Sequence, residues 1–201
     1  MTPPMRVVLA SGNPGKLREF VELLAPSGLQ IVPQSQFGIE PPAETGDSFA
    51  ANALLKARYA AGRCGLPALA DDSGLEVDAL GGAPGIHSAR YAGEQASDAQ
   101  NIDKLLAALA GVPSERRAAR FRCVVAFVRD ADDLAPVLAS GEWQGRILAA
   151  PRGVAGFGYD PVFEDLASCR SAAELSSADK HALSHRGKAL RELLRLVSMR
   201  T

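Results

Sequence analysis

Two aspartates, Asp71 and Asp72, stand side by side in "LPALADDSGLEVDAL", directly after an apolar run. Buried carboxylates are costly unless they bind cations or accept several hydrogen bonds. Open α/β sheets gather ligands at the carboxyl ends of their strands, and a carboxylate there can ligate Mg2+ or take a proton from attacking water. A plain acidic turn accounts for the same letters.

A second stretch, "LASGNPGKLREF" (9–20), places two glycines, an asparagine and a lysine between an apolar run and an amphipathic one. Helix N-termini leave backbone N–H groups unpaired and carry partial positive charge, so such a turn attracts phosphate. Gly12 and Gly15 let the backbone approach an anion, and Lys16 adds a mobile full charge. The stretch is not a Walker A loop, which needs four residues between its glycines and Ser or Thr after the lysine; here there are two, followed by Leu17. An ordinary strand-to-helix turn is the alternative.

The last third adds aromatic and basic groups. "FGYD" (157–160) sets two rings and a carboxylate in a glycine-flexible loop, a platform for a base or simple packing. "DKHALSHRG" gathers Lys180, His181, His185 and Arg186. With Ser184 as N-cap, His185 and Arg186 fall in the first helical turn, where positive charge opposes the macrodipole. A nearby anion or keto-bearing ring would justify that placement; a solvated basic patch is the other reading.

The elements that position these groups read as alternating strands and helices. "RVVLAS" (6–11) is a buried strand, Lys16 to Leu24 a helix with Leu17, Phe20, Val21 and Leu24 on one face, and "LQIVPQ" (29–34) a second strand. That strand–helix–strand unit favours an α/β fold. Ser48 caps a helix with Phe49, Ala53, Leu54 and Ala57 on one face. Residues 66–80 read as a strand, an acidic turn and a second run; 98–110 as a helix; 119–130 and 135–147 as long strands, an antiparallel pair. Residues 153–163 are loop-like and then extended, and a final helix packs Leu190, Leu193, Leu194 and Val197. No repeat, low-complexity segment or clear linker interrupts the chain.

The totals bound the partners. A chain of 201 residues suits one domain or two joined lobes, and its 47% hydrophobic and 22% charged content is ordinary for a soluble globular protein. A net charge of −1 recommends neither nucleic acid nor an anionic membrane. Cys64, Cys123 and Cys169 are too scattered for a metal knuckle and read as reduced packing thiols. With no membrane-length apolar run and no signal-peptide pattern, the expected location is cytoplasmic.

In order along nearly the whole chain, "SGNPGK", "ADDSGLEVDALGGAPGIHSARYAG", "GFGYDPVF" and "LSHRGKAL" resemble the inosine/xanthosine triphosphate pyrophosphatase family, which hydrolyses ITP, dITP and XTP to the monophosphate and pyrophosphate. The resemblance implies an α/β protein over residues 1–201, a single pyrophosphatase domain of two lobes with a long central mixed β-sheet flanked by helices and a cleft between the lobes. It also implies a homodimer and Mg2+ dependence. Carried over, Ser11, Gly12, Asn13, Pro14, Gly15 and Lys16 bind the substrate's phosphates. Asp72 is the proton acceptor and a metal ligand, and Ser73 touches substrate. Phe157, Gly158, Tyr159, Asp160, Lys180, His185 and Arg186 complete the nucleotide site, largely at the base. The chain departs from the family pattern at Ala51, before Asn52, where many relatives carry glutamate, and at Ala43, three residues before Gly46. Glu44, next to Ala43, then stands as the second metal ligand.

The implied reaction is attack of water at the α-phosphorus, with no covalent intermediate. A 6-keto oxygen accepts hydrogen bonds from Lys180, His185 or Arg186, whereas adenine's 6-amino group does not. Two rivals remain: a pyrophosphatase for modified pyrimidine nucleotides or m7GTP, and a non-catalytic nucleotide sensor, to which Ala51 points.

Overall fold

The computed structural model describes residues 5–199. Its elements follow in the order β1 (Arg6–Leu9), α1 (Pro14–Leu24), β2 (Gln30–Pro33), α2 (Phe49–Cys64), β3 (Ala68–Val77), α3 (Asp98–Ala108), β4 (Ala118–Val128), β5 (Val137–Ile147), β6 (Phe163–Asp165), β7 (Arg170–Ser171), α4 (Ser177–Leu183) and α5 (His185–Ser198), with short 3-10 turns between. The strands form a seven-stranded sheet in the order β2-β1-β3-β4-β5-β6-β7. It is mixed: β1 runs parallel to β2 and β3, while β6 is antiparallel to β5 and β7. The α/β expectation holds.

The chain divides into two compact units. One comprises the residues up to Asp72, Cys123–Gly141 and the segment from Arg186 on; the other comprises Ser73–Arg122 and Glu142–His185.

In the first unit, Val7, Val8 and Leu9 of β1 are buried completely, which is why this short strand reads as a continuous apolar run. Asn13 caps α1 by accepting the Lys16 N–H at 3.0 Å, and Pro14 occupies the first turn, where its missing N–H costs nothing. Ser48 caps α2 by accepting the Ala51 N–H at 3.2 Å, and Gly65 ends that helix at φ 66°. Phe20 and Leu24 of α1 and Leu190 and Leu193 of α5 pack on Val7, Leu9, Leu69, Cys123 and Val125. Each large side chain so buried stabilises by about 1.5–3 kcal/mol.

The second unit has its own core of Leu75, Val77, Leu105, Phe121, Trp143, Ile147 and Phe163. Helix α3 begins with a reciprocal capping box between Ser97 and Gln100. Burial alternates along β5, so one face is apolar and the other wet. At Gly145 a Cβ would meet the Phe163 ring at 2.4 Å and the Glu164 carbonyl at 2.5 Å, so β6 pairs there only because the residue is glycine.

One element differs from expectation. The acidic pair is no turn: β3 runs unbroken from Ala68 through Asp71, Asp72, Ser73 and Gly74 to Val77. Aspartate and glycine are poor strand formers, but cations brought by three helices offset the burial of the two carboxylates.

Candidate active site

The register of β1 on β3 explains why the acidic pair is available. Val8 and Leu9 pair with Ala68 and Leu69, and there the parallel ladder ends. Asp71 and Asp72 therefore lie just beyond the carboxyl end of β1, where its chain turns through Ser11–Lys16 into α1. Within that turn the Ser11 hydroxyl accepts the Asn13 N–H at 3.2 Å. Gly12 is close-packed, since a Cβ would stand 3.1 Å from Pro41 Cγ. Pro14 and Gly15 form the first turn of α1, and Lys16 reaches Asp71 Oδ2 at 2.9 Å.

Consecutive strand residues point to opposite faces, and the two aspartates accordingly hold different partners. Asp71, 1% exposed, meets Lys16 and, at 3.6 Å, the guanidinium of Arg186. Arg186 is also buried and pairs with Glu19 of α1. Burial alone would raise the Asp71 carboxyl, but Lys16, Arg186 and Lys56 outweigh it and hold it well below the usual carboxylate range. Burial and the Asp71 charge push the neighbouring Cys123 thiol far up, so it is an inert packing group.

Asp72 turns to α2. Lys56 Nζ donates to Asp72 Oδ1 at 3.0 Å and to Glu44 Oε1 at 2.8 Å, so two carboxylates converge on one ammonium. Asn52 Nδ2 donates to Asp72 Oδ2 at 3.2 Å. Here burial wins: despite Lys56 and Lys16, the Asp72 carboxyl lies above the ordinary aspartate value, helped by Glu44. Burial opposes the charge on Lys56, but Asp72, Asp71 and Glu44 raise its pKa. A partly raised carboxylate is better matched to taking a proton near neutrality than a free aspartate.

Glu44 and Asp72 supply a hard oxygen donor set suited to Mg2+, which uses one or two protein carboxylates and completes its shell with phosphate and water. Among the described residues no group of three or more His, Cys, Asp or Glu side chains converges. The residues present thus fit Mg2+ shared with a phosphate ligand rather than a protein-caged metal.

The second unit carries the remaining candidates. The Phe157 N–H donates to Asp160 Oδ2 at 2.9 Å, and Lys180 reaches the same oxygen at 2.6 Å while standing 4.9 Å over the Phe157 ring. Gly156, at φ 80°, is required there, because a Cβ would come within 2.1 Å of Asp160. The Gly158 N–H donates to Asp98 at 2.7 Å, and the Tyr159 hydroxyl to the Ser88 carbonyl at 2.9 Å. Burial, Tyr91 and Asp98 push that phenol well up, so it stays protonated. The His185 ring stacks on Phe121 with centroids 4.8 Å apart and planes 14° from parallel. Ser73 is half-buried at the point where β3 enters this unit. The structure thus groups Phe157, Asp160 and Lys180 with one another, and Asp72 and Glu44 on Lys56; Lys16 and Arg186 sit with Asp71, and Arg186 also with Glu19.

Asn52, Lys56 and Glu19 were not singled out as site residues by the sequence. A signal existed for two of them. Asn52 and Lys56 are one helical turn apart on the same stripe of α2 as buried Phe49, Ala53, Ala57 and Ala60, where a lysine is out of place unless it has a buried partner. Glu19 left no such mark.

The mixed sheet, with a buried lysine–carboxylate cluster where its parallel ladder ends, defines an α/β protein with an ionic cluster at the carboxyl end of its parallel strands. The sequence model of the Ham1 family matches residues 7–196, and the chain belongs to that family. It is 61% identical to a dITP/XTP pyrophosphatase of Methylococcus capsulatus over 184 residues, covering 92% of each chain. It is 57% identical to a dITP/XTP pyrophosphatase of Yersinia pseudotuberculosis over 189 residues, 94% of this chain and 96% of the relative. Among solved structures, a HAM1 protein from Coxiella burnetii superposes with a TM-score of 0.88 at 47% identity, covering 97% of this chain and 99% of that one.

Proposed function

We propose that the chain hydrolyses non-standard purine nucleoside triphosphates, ITP, dITP and XTP, to the monophosphate and pyrophosphate, and so clears them from the nucleotide pool. The observation that carries this reading is the convergence of Asp72 and Glu44 on Lys56, a buried cluster with one carboxylate raised toward proton acceptance.

In this mechanism the turn Ser11–Lys16 holds the outer phosphates through backbone N–H groups and the Lys16 ammonium, and stabilises the departing pyrophosphate. Lys16 exchanges its Asp71 partner for phosphate, while Arg186 keeps Asp71 charge-balanced. Asp72 takes the proton of the water that attacks the α-phosphorus. Mg2+, held by Asp72 and Glu44, would neutralise charge building on the phosphate oxygens.

At the base, Phe157 offers a stacking face, and Ser73, Gly158 and Tyr159 shape the surrounding surface. Lys180, held by Asp160, and His185 donate to a 6-keto oxygen. Adenine presents an amino group there and leaves those donors unpaired, a loss worth about 1–3 kcal/mol. Arg186 acts with Asp71 rather than at the base. Both units together form one nucleoside-triphosphate pyrophosphatase domain. We read the protein as a homodimer, checked by sedimentation, working in the cytoplasm, where three free cysteines stay reduced.

The test is a Mg2+-dependent substrate panel read by pyrophosphate release. ITP, dITP and XTP should be preferred over ATP and GTP. Preference for dTTP, UTP or m7GTP would reassign the substrate, and tight ITP binding without pyrophosphate release would make the protein a sensor.

A further inference from the structure

Asn52 is 0% exposed, and both ends of its amide are committed. Its Oδ1 accepts the Gly46 N–H at 2.8 Å, which obliges the NH2 group to face the other way, and there it donates to Asp72 Oδ2 at 3.2 Å. The loop approaches so closely that a Cβ on Gly46 would stand 2.6 Å from Asn52 Oδ1 and 2.8 Å from Ala51 Cβ. One turn further along α2, Lys56 occupies the other oxygen of Asp72 and also grips Glu44, which belongs to the same loop as Gly46. A single helix face therefore fixes both the plane of the Asp72 carboxylate and the loop that carries Glu44.

We propose that Asn52 is the positioning residue for Asp72: anchored by the Gly46 N–H, it presents only a donor to Asp72 Oδ2, and so fixes the orientation in which that carboxylate meets the attacking water. The role is a matter of geometry, because an amide tethered at its oxygen has one orientation left. It rests on the reading of Asp72 as proton acceptor. Both ends of the side chain are engaged, with the Gly46 N–H and with Asp72 Oδ2, so its effect passes through Asp72.

Asn52→Asp tests this, since an isosteric carboxylate keeps the acceptor for Gly46 but replaces the donor facing Asp72 with a second acceptor. Asn52→Asp, Asp72→Asn and the double variant are compared in kcat and KM for ITP with Mg2+, and in melting temperature. Asn52→Asp should lose about tenfold or more in kcat per folded molecule, with KM within about threefold of the parent, and should melt lower because it adds a buried carboxylate beside Asp72. The double variant should turn over no more slowly than Asp72→Asn alone, because residues acting as one unit are not additive. Multiplying losses, or parent-like turnover by Asn52→Asp, would overturn the inference. So would a large fall in melting temperature with kcat per folded molecule retained, which marks a purely structural residue. Parent-like turnover by Asp72→Asn would instead overturn the Asp72 reading beneath it, and the inference with it.

Discussion

Lys56 Nζ lies 3.0 Å from Asp72 Oδ1, with less than a tenth of either side chain exposed, and the same ammonium reaches Glu44 at 2.8 Å. One charge thus balances two carboxylates, Asp72 buried and Glu44 half-buried. Removing one partner from a buried ionic cluster leaves uncompensated charge and costs about 3–5 kcal/mol. Lys56→Met should therefore melt well below the parent. Mg2+ should restore part of the loss and stabilise the variant more than the parent, because it supplies the missing positive charge. Equal melting temperatures with and without Mg2+ would contradict this account of the cluster.

Lys16 stands at the start of α1 with its ammonium on Asp71. Lys16→Ala should raise KM for ITP and XTP together by about tenfold or more, since it removes charge from the phosphates and none from the base. Steady-state kinetics with both substrates checks this; an unchanged KM would move the phosphate site elsewhere.

These two lysines show how far the sequence could be read. Lys16 was legible because its signal is local: a strand end, two glycines and an asparagine cap within six residues. Likewise β1, α1, α2 and β5 followed from periodicity and caps. The partners of Asp71 and Asp72 were not legible, because Lys56, Asn52, Glu19 and Arg186 come from distant segments joined only by folding. For the same reason "ADDSG" read as a turn: its composition disfavours a strand, and the cations that reverse the preference lie elsewhere in the chain. Arg186 draws notice in the sequence because two positive residues at a helix start are anomalous; that Glu19 and Asp71 pair with it is visible only in the fold.

Arg186 and Phe157 should accordingly behave differently. Arg186→Ala should lower activity toward every nucleotide alike and reduce stability by about 3 kcal/mol, because it strips a buried counterion from two carboxylates. Phe157→Ala should narrow the preference for ITP over ATP while the fold stays intact. A selective loss in the arginine variant, or a uniform one in the phenylalanine variant, would exchange their roles.

Glu44 tests the metal assignment in the absence of a glutamate at Ala51. Glu44→Gln keeps shape but removes one of the two carboxylates on Lys56. Half-maximal activation should then need about tenfold more Mg2+, with the melting temperature nearly unchanged. An unaltered Mg2+ titration would leave Asp72 and the phosphates as the metal's ligands.

The central claim is attack of water at the α-phosphorus, with Asp72 accepting its proton and the outer phosphates leaving together. Hydrolysis of ITP in 18O-labelled water with Mg2+, read by mass spectrometry of both products, tests it most directly. The account predicts one labelled oxygen in the monophosphate and unlabelled pyrophosphate. Label in the pyrophosphate, release of inorganic phosphate, or no turnover at all would contradict it.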